Sequence, residues 1–373
     1  MVDSPQVSRR AWLLAAAAAA GCGPKKPTGY SGYCFVANQD SHSVAVVDLT
    51  TFRRLPAVPL DAAPSSVLAH PTRPRALVLG PRAGTVYEID AGTLAVGRRV
   101  RAGNEAVSMK LAPGGAAAWV LFRDPAGLVE IPLDSLRPGR RIHLPAAPDD
   151  FDLSFDGRAA IVSRQARTLT LVSLDRAAIE RTVAAEVELT GVRFRPDGQQ
   201  VLAASRPDRS LTAIDVLTGR TVVRLPLPLE PRRFCYNLDN GQLFLTGAGM
   251  DAIAIIYPYQ TEVAETVLAG RAPDGMAVTE SYLLAANPET NTVTVLDIDT
   301  DFKLVAVVQV GDGPREILIT PDQQYALVLN ERSGDLAIIR IAALAARRYK
   351  NAPLFTMIPV GAKPVSAAVV KLV

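Results

Sequence analysis

The side chains best suited to metal binding or nucleophilic attack are few: His42, His70 and His143, and Cys22, Cys34 and Cys235. Their spacing serves neither purpose. No two histidines stand at i, i+2 or i, i+4, and there is no Cys-x-x-Cys or Cys-x-x-Cys-His, so neither a metal site nor haem attachment is expected. No Gly-x-Ser-x-Gly sequence offers a nucleophile elbow. What the chain does offer is charge at a recurring position. Asp149, Asp150, Arg232, Arg233, Asp274, Arg315 and Glu316 occupy equivalent places in an internal repeat. Carboxylates and guanidiniums gathered in this way can hold a small polar ligand or a peptide through charge-assisted hydrogen bonds. Without a binding partner they would line a water-filled channel and compensate one another.

The elements that would position these charges follow from the repeat. A short β-branched strand closing on a turn recurs along the chain, as in Val44-Ala45-Val46-Val47-Asp48-Leu49. Aligned on Asp48, the register residues are Asp90, Pro132, Ser173, Asp215, Tyr257, Asp297 and Arg340, with spacings of 42, 42, 41, 42, 42, 40 and 43. Each period holds four strand-like runs. In the seventh they are Pro273 to Thr279, Tyr282 to Ala286, Val293 to Ile298 and Leu304 to Val310. Four short antiparallel strands per 40 to 45 residues predict a β-propeller blade. Turns such as Phe155-Asp156-Gly157, Pro196-Asp197-Gly198 and Asp239-Asn240-Gly241 separate first from second strands. His70-Pro71 stands in the same place, which makes His70 a turn residue.

The first repeat starts at Tyr33 with a second strand and lacks an innermost one. Pro364 to Val373 supplies an innermost strand with no blade after it, so the C-terminus is expected to close the ring. One stretch breaks the pattern: Ala342 to Arg348 favours a short helix. Cys34 and Cys235 lie four repeats apart in apolar runs, beyond the reach of a disulfide, and are expected to be buried free thiols.

Composition narrows the classes of partner. Forty basic and 37 acidic residues give a net charge of +3, interspersed rather than striped, which argues against nucleic acid. Aromatic residues make up only 6%, too few for an extended stacking platform.

Phe35-Val36-Ala37-Asn38, with Leu327-Val328-Leu329-Asn330 and Leu284-Ala285-Ala286-Asn287, resembles the namesake tetrapeptide of the YVTN-type β-propeller repeat family. The family's Gly-x-x-Pro lead-in to a blade is matched at Gly270 to Pro273, Gly311 to Pro314 and Gly361 to Pro364. The resemblance spans 30–373 and implies an all-β propeller in an extracytoplasmic setting. Many members have seven blades, which is the alternative to the eight copies counted here. Ala213 to Gly219 resembles the start of the docking motif of quinoprotein dehydrogenases, but Val223 stands where that motif has Trp.

At the N-terminus, Arg9 and Arg10 precede the apolar run Ala11 to Ala20, as in a secretory signal too short to span a bilayer. Ala19-Ala20-Gly21-Cys22 resembles the lipobox of bacterial lipoproteins, and Ser8 to Leu13 resembles a twin-arginine signal. The expected organisation is a signal peptide over 1–21, a lipidated Cys22 with a tether to 29, and an eight-bladed propeller over 30–373. The expected protein is a monomeric lipoprotein anchored to the cell envelope. It binds a small ligand or an envelope protein without cofactor, metal or nucleic acid. An enzyme of lactonase or quinoprotein type is the alternative.

Overall fold

A computed structural model describes residues 29–260, 262–344 and 352–372. The signal segment, Cys22 and the tether as far as residue 28 lie outside them. Eight four-stranded antiparallel sheets make up the fold, a β-propeller. The second blade is typical: β4 (Ser66–Ala69), β5 (Arg75–Gly80), β6 (Thr85–Asp90) and β7 (Ala95–Arg101) pair in chain order from the innermost strand outward. The innermost strands of the next six blades are β8 (Asn104–Leu111), β12 (Asp150–Leu153), β16 (Gly191–Phe194), β20 (Glu230–Tyr236), β24 (Met276–Val278) and β28 (Pro314–Ile319).

The first blade is assembled from both ends of the chain. β1 (Gly32–Asn38) pairs on one side with β2 (Ser43–Asp48), which pairs in turn with β3 (Arg53–Pro59). On its other side β1 takes β32 (Pro364–Lys371), with Tyr33 opposite Val370 and Cys34 opposite Val369. Ring closure by the C-terminal strand is therefore as expected.

The core explains why the strands read as continuous apolar runs. Among the described residues, eight hydrophobic clusters each lie between two neighbouring blades, from the first and second round to the eighth and first. Successive side chains of a strand point to opposite faces. In β5, Ala76 and Val78 pack toward the first blade, and Leu77 and Leu79 toward the third. Both faces are thus buried.

The repeat's punctuation is also accounted for. The recurring Asp closes the turn after the third strand by accepting backbone N–H groups. Asp48 takes that of Thr50 at 2.8 Å, Asp90 that of Gly92 at 2.9 Å, Asp215 that of Thr218 at 2.8 Å and Asp297 that of Asp299 at 2.9 Å. In two of the three cited turns the left-handed position is glycine, Gly157 and Gly198. In the third it is Asn240, at φ 62°, and not Gly241.

Some boundaries differ from the sequence expectation. The first strand of the seventh blade is only Met276–Val278. Asp274 N–H donates to Ala286 O at 2.9 Å and Ala286 N–H donates to Gly275 O at 2.8 Å, so two residues face one and the regular ladder starts after them. Ile341–Ala343 form a single 3-10 turn in place of the start of the expected helix. The rest of that segment, from residue 345, lies outside the described residues. Cys34 and Cys235 are unbridged, but only Cys34 is fully buried; Cys235 is half-buried. Burial pushes both thiols up to about 12, which leaves them poor nucleophiles. His70 is a turn residue: its Nδ1 accepts the N–H groups of Thr72 and Arg73, each at 3.2 Å.

Candidate functional site

An innermost strand pairs with its own blade on one edge only. Its other edge faces the central channel, where unpaired N–H groups need partners. Side chains from the preceding blade supply several. Asp150 Oδ2 accepts Val192 N–H at 3.1 Å and Asp152 Oδ2 accepts Phe194 N–H at 2.8 Å, each one repeat along the chain. Ser366 Oγ accepts Val67 N–H at 3.3 Å, and Glu316 Oε1 accepts Ala367 N–H at 3.4 Å. Two of the seven singled-out residues, Asp150 and Glu316, thus hold neighbouring blades together.

Lumen charges are paired. Lys110 Nζ lies 2.6 Å from Asp152, and Arg193 Nη1 lies 3.0 Å from Asp150 while its guanidinium stacks 5.0 Å above the Phe234 ring. Glu316 differs, because no cation reaches ion-pair distance of it among the described residues. Burial pushes its carboxyl up to about 7, helped by the nearby charge of Asp274 and opposed by the Ala367 N–H, Arg233 and the Ser366 hydroxyl.

The rim above the lumen is built by β-bulges. Pro231 faces Gly247 and Arg233 faces Thr246, which leaves Arg232 as the extra residue. Pro314 faces Asn330 and Glu316 faces Leu329, leaving Arg315. Val107 and Val365 are the extra residues in the third and first blades. A bulge re-aims the residue it leaves unpaired, and here it turns Arg232 and Arg315 out of the ladder.

Asp274 anchors one arc of this rim. Its Oδ1 accepts Arg233 Nε at 3.1 Å and its Oδ2 accepts Arg315 Nη1 at 3.0 Å, so one carboxylate joins the sixth, seventh and eighth blades. Arg315 also pairs with Glu331. Gly275 is needed beside it, since a Cβ there would lie 2.0 Å from Arg315 O. Asp149 is held separately: Arg123 Nη2 lies 3.2 Å from its Oδ1 and Arg164 N–H 2.8 Å from its Oδ2. The seven residues therefore fall into two groups. Arg232, Arg233, Asp274, Arg315 and Glu316 share the arc of blades six to eight, while Asp149 and Asp150 belong to the third-to-fifth-blade side.

Sequence reading missed the guanidiniums between these groups. Arg164 and Arg206 follow the second strands of the fourth and fifth blades, and each is exposed. Arg206 Nε donates to Pro231 O at 3.3 Å. Among the described residues, no carboxylate lies within ion-pair distance of Arg164, Arg206 or Arg232. Although the residue is exposed as a whole, desolvation by the atoms around its guanidinium and the like charges of Arg232, Arg233 and Arg164 hold Arg206 below the usual guanidinium range, against the pull of Asp150. The signal was the repeat itself: Arg123, Arg164 and Arg206 are spaced 41 and 42 residues apart. Among the described residues, no three His, Cys, Asp or Glu side chains are grouped to hold a metal ion.

No protein-family profile matches the chain, and no curated protein matches it significantly by sequence. Solved structures do. The dihydro-heme d1 dehydrogenase NirN, solved in complex with DHE, superposes with a TM-score of 0.76 at 17% identity, over 93% of this chain and 77% of NirN. Hydrazine synthase of Kuenenia stuttgartiensis gives 0.59 at 18% identity, over 75% of this chain and 96% of that one. A functionally unknown protein from Desulfotomaculum acetoxidans gives 0.59 at 12%, over 91% and 99%. At these identities the likeness is one of fold, and the fold that this chain shares with them is the β-propeller.

Proposed function

We propose that the protein is a YVTN-type propeller lipoprotein, tethered through an acylated Cys22 to the envelope of a bacterium, that binds a small ligand or a protein partner at its channel mouth. It acts as a non-enzymatic binding or scaffold protein, as a monomer. The observation that carries this reading is the bulged rim. Arg232 and Arg315 are turned out of the ladder, and Asp274 fixes Arg233 and Arg315 across three blades. A site built on rigid strands loses little entropy when it closes on a partner. Lipid attachment rests on the lipobox-like Ala19-Ala20-Gly21-Cys22, since more than one acyl chain is needed for stable anchoring.

One experiment addresses tether and mouth together. Wild-type, Cys22→Ala and Arg232→Ala/Arg315→Ala proteins are expressed in the native envelope with a radioactive fatty acid, then captured with whatever they hold. Label is expected in all but Cys22→Ala, and the captured partner is expected to be lost from the double arginine variant alone. Equal label in Cys22→Ala removes the tether, and an unchanged partner in the arginine variant removes the mouth.

A lactonase- or quinoprotein-type enzyme is the second reading, favoured by the Glu316 carboxyl poised near neutrality in the lumen.

A further inference from the structure

Most charges at the rim and in the lumen below it are matched. Arg123 faces Asp149, Arg193 faces Asp150, Lys110 faces Asp152, and Arg233 and Arg315 share Asp274. Arg164, Arg206 and Arg232 break that order. They come from the fourth, fifth and sixth blades in succession, and no carboxylate within ion-pair distance answers any of them among the described residues. Arg164 and Arg206 are 42 residues apart and occupy the same place in consecutive blades. At the strand-start positions the rest of the rim carries the neutral Ser65, Val107 and Val365, and Arg82, one repeat before Arg123, is a further exposed arginine in the second blade.

Gathering like charges costs free energy unless something of opposite sign fills the space between them. Solvent would relieve that cost if the side chains were free to splay apart. Arg206 is not free to do so: it is tied at 3.3 Å to the O of Pro231, the neighbour of Arg232 in the innermost strand of the sixth blade. Arg232 is itself fixed as the unpaired residue of a bulge. Arg206 thus stands beside Arg232 and within the field of Arg164, and each guanidinium offers the planar donor fork that matches carboxylate and phosphate oxygens. A ligand with a single anionic group would answer only part of the cluster.

We propose that Arg164, Arg206 and Arg232 form a subsite for a small molecule carrying two or more carboxylate or phosphate groups. This deepens the reading of the mouth as a ligand site, and rests on it. The molecule lies across the fourth, fifth and sixth blades, and the Asp274-anchored arc borders it on the other side.

The test is calorimetric titration of the full propeller with citrate and with pyrophosphate at low ionic strength, with acetate as the monoanion. The two polyanions distinguish a carboxylate from a phosphate ligand. One-to-one binding of at least one polyanion is expected, with acetate much weaker. A charge-assisted hydrogen bond contributes about 1.5–3 kcal/mol, so Arg206→Ala should weaken the polyanion at least about tenfold. Arg164→Ala/Arg232→Ala should do the same. Arg220→Ala, in the turn between the third and fourth strands of the fifth blade on the opposite face, should leave affinity unchanged. No saturable binding of either polyanion at millimolar concentration overturns the subsite, as does an equal loss in Arg220→Ala, which would mark a diffuse field. In either case a native partner still lost from Arg232→Ala/Arg315→Ala would leave the mouth itself standing as a binding site.

Discussion

Glu316 shows how a single residue can couple this fold to pH. Its carboxylate is useful to the ring because it accepts Ala367 N–H, yet burial and Asp274 favour the protonated form. With the folded carboxyl near 7 and an unfolded glutamate near 4.3, the folded state holds more protons than the unfolded one between those values. Stability contributed by Glu316 is therefore fully present below about pH 4 and declines as pH rises toward 7. Glu316→Gln keeps an acceptor for Ala367 and removes the titration. Relative to wild type, the variant should gain on the order of 2 kcal/mol between pH 5 and pH 8. Denaturant midpoints of both proteins at the two pH values measure this; parallel midpoints would place the carboxyl in its ordinary range. The seven charged residues were legible from repeat register alone, but their roles were not. Whether Asp150 faces a ligand or caps Val192 N–H depends on the next blade's free edge, which one blade's sequence does not describe. Arg164 and Arg206 were not legible from that register, because they follow the second strand of their blades and do not stand at the start of the first.

At the scale of the element, two sequence marks that look independent turn out to be one contact. The Gly of each Gly-x-x-Pro lead-in packs on the Asn that ends the second strand of the same blade. A Cβ at Gly270 would lie 2.5 Å from Asn287, one at Gly311 2.7 Å from Asn330, and one at Gly361 2.8 Å from Asn38. Asn287 Oδ1 accepts Gly270 N–H at 3.1 Å, and Asn38 Nδ2 donates to Val360 O at 3.1 Å. The pairing joins the lead-in loop to the strand it must lie beside, which is why both marks occur in blades one, seven and eight. In the second blade Gly80 stands where Asn would be, and no such pair forms. Gly311→Ala should destabilise by roughly 1–3 kcal/mol, since Asn330, Ser333 and Asp335 all stand within 3 Å of the new carbon. Gly97→Ala, whose nearest neighbour would be Glu88 O at 3.9 Å on an exposed outer strand, should be neutral or slightly stabilising. Thermal melts of the two variants decide it, and equal effects would mean that the lead-in loop yields. Strand ends were less legible than strand centres. The bulges that shorten the innermost strands depend on curvature at the rim, whereas the β-branched centres depend only on burial of both faces.

The whole molecule depends on closing the ring, and here sequence and structure agree because the count of strands left no alternative: a first blade short of one strand, and a last strand short of a blade. What the sequence could not show is how unevenly that strand is buried. Val370 is 1% exposed and packs with Phe35 and Val46 between the first and second blades, whereas Val369 and Leu372 are only half-buried. Without β32, the lumen side of β1 would present an unpaired edge, and two inter-blade clusters would open to water. Deleting residues 364–373 is therefore expected to cause aggregation or a large drop in melting temperature. Because such a variant can fail outright, a milder one carries the same test. Val370→Ala removes two methyl groups from a sealed site, at a cost of roughly 2 kcal/mol once the cavity is included. Val369→Ala, on the half-exposed face of the same strand, should cost less than half as much. The ordering is what matters. A strand merely laid against the ring would make the two valines equivalent, while a strand that completes the first blade makes Val370 the costlier loss, in a melt that remains a single cooperative transition.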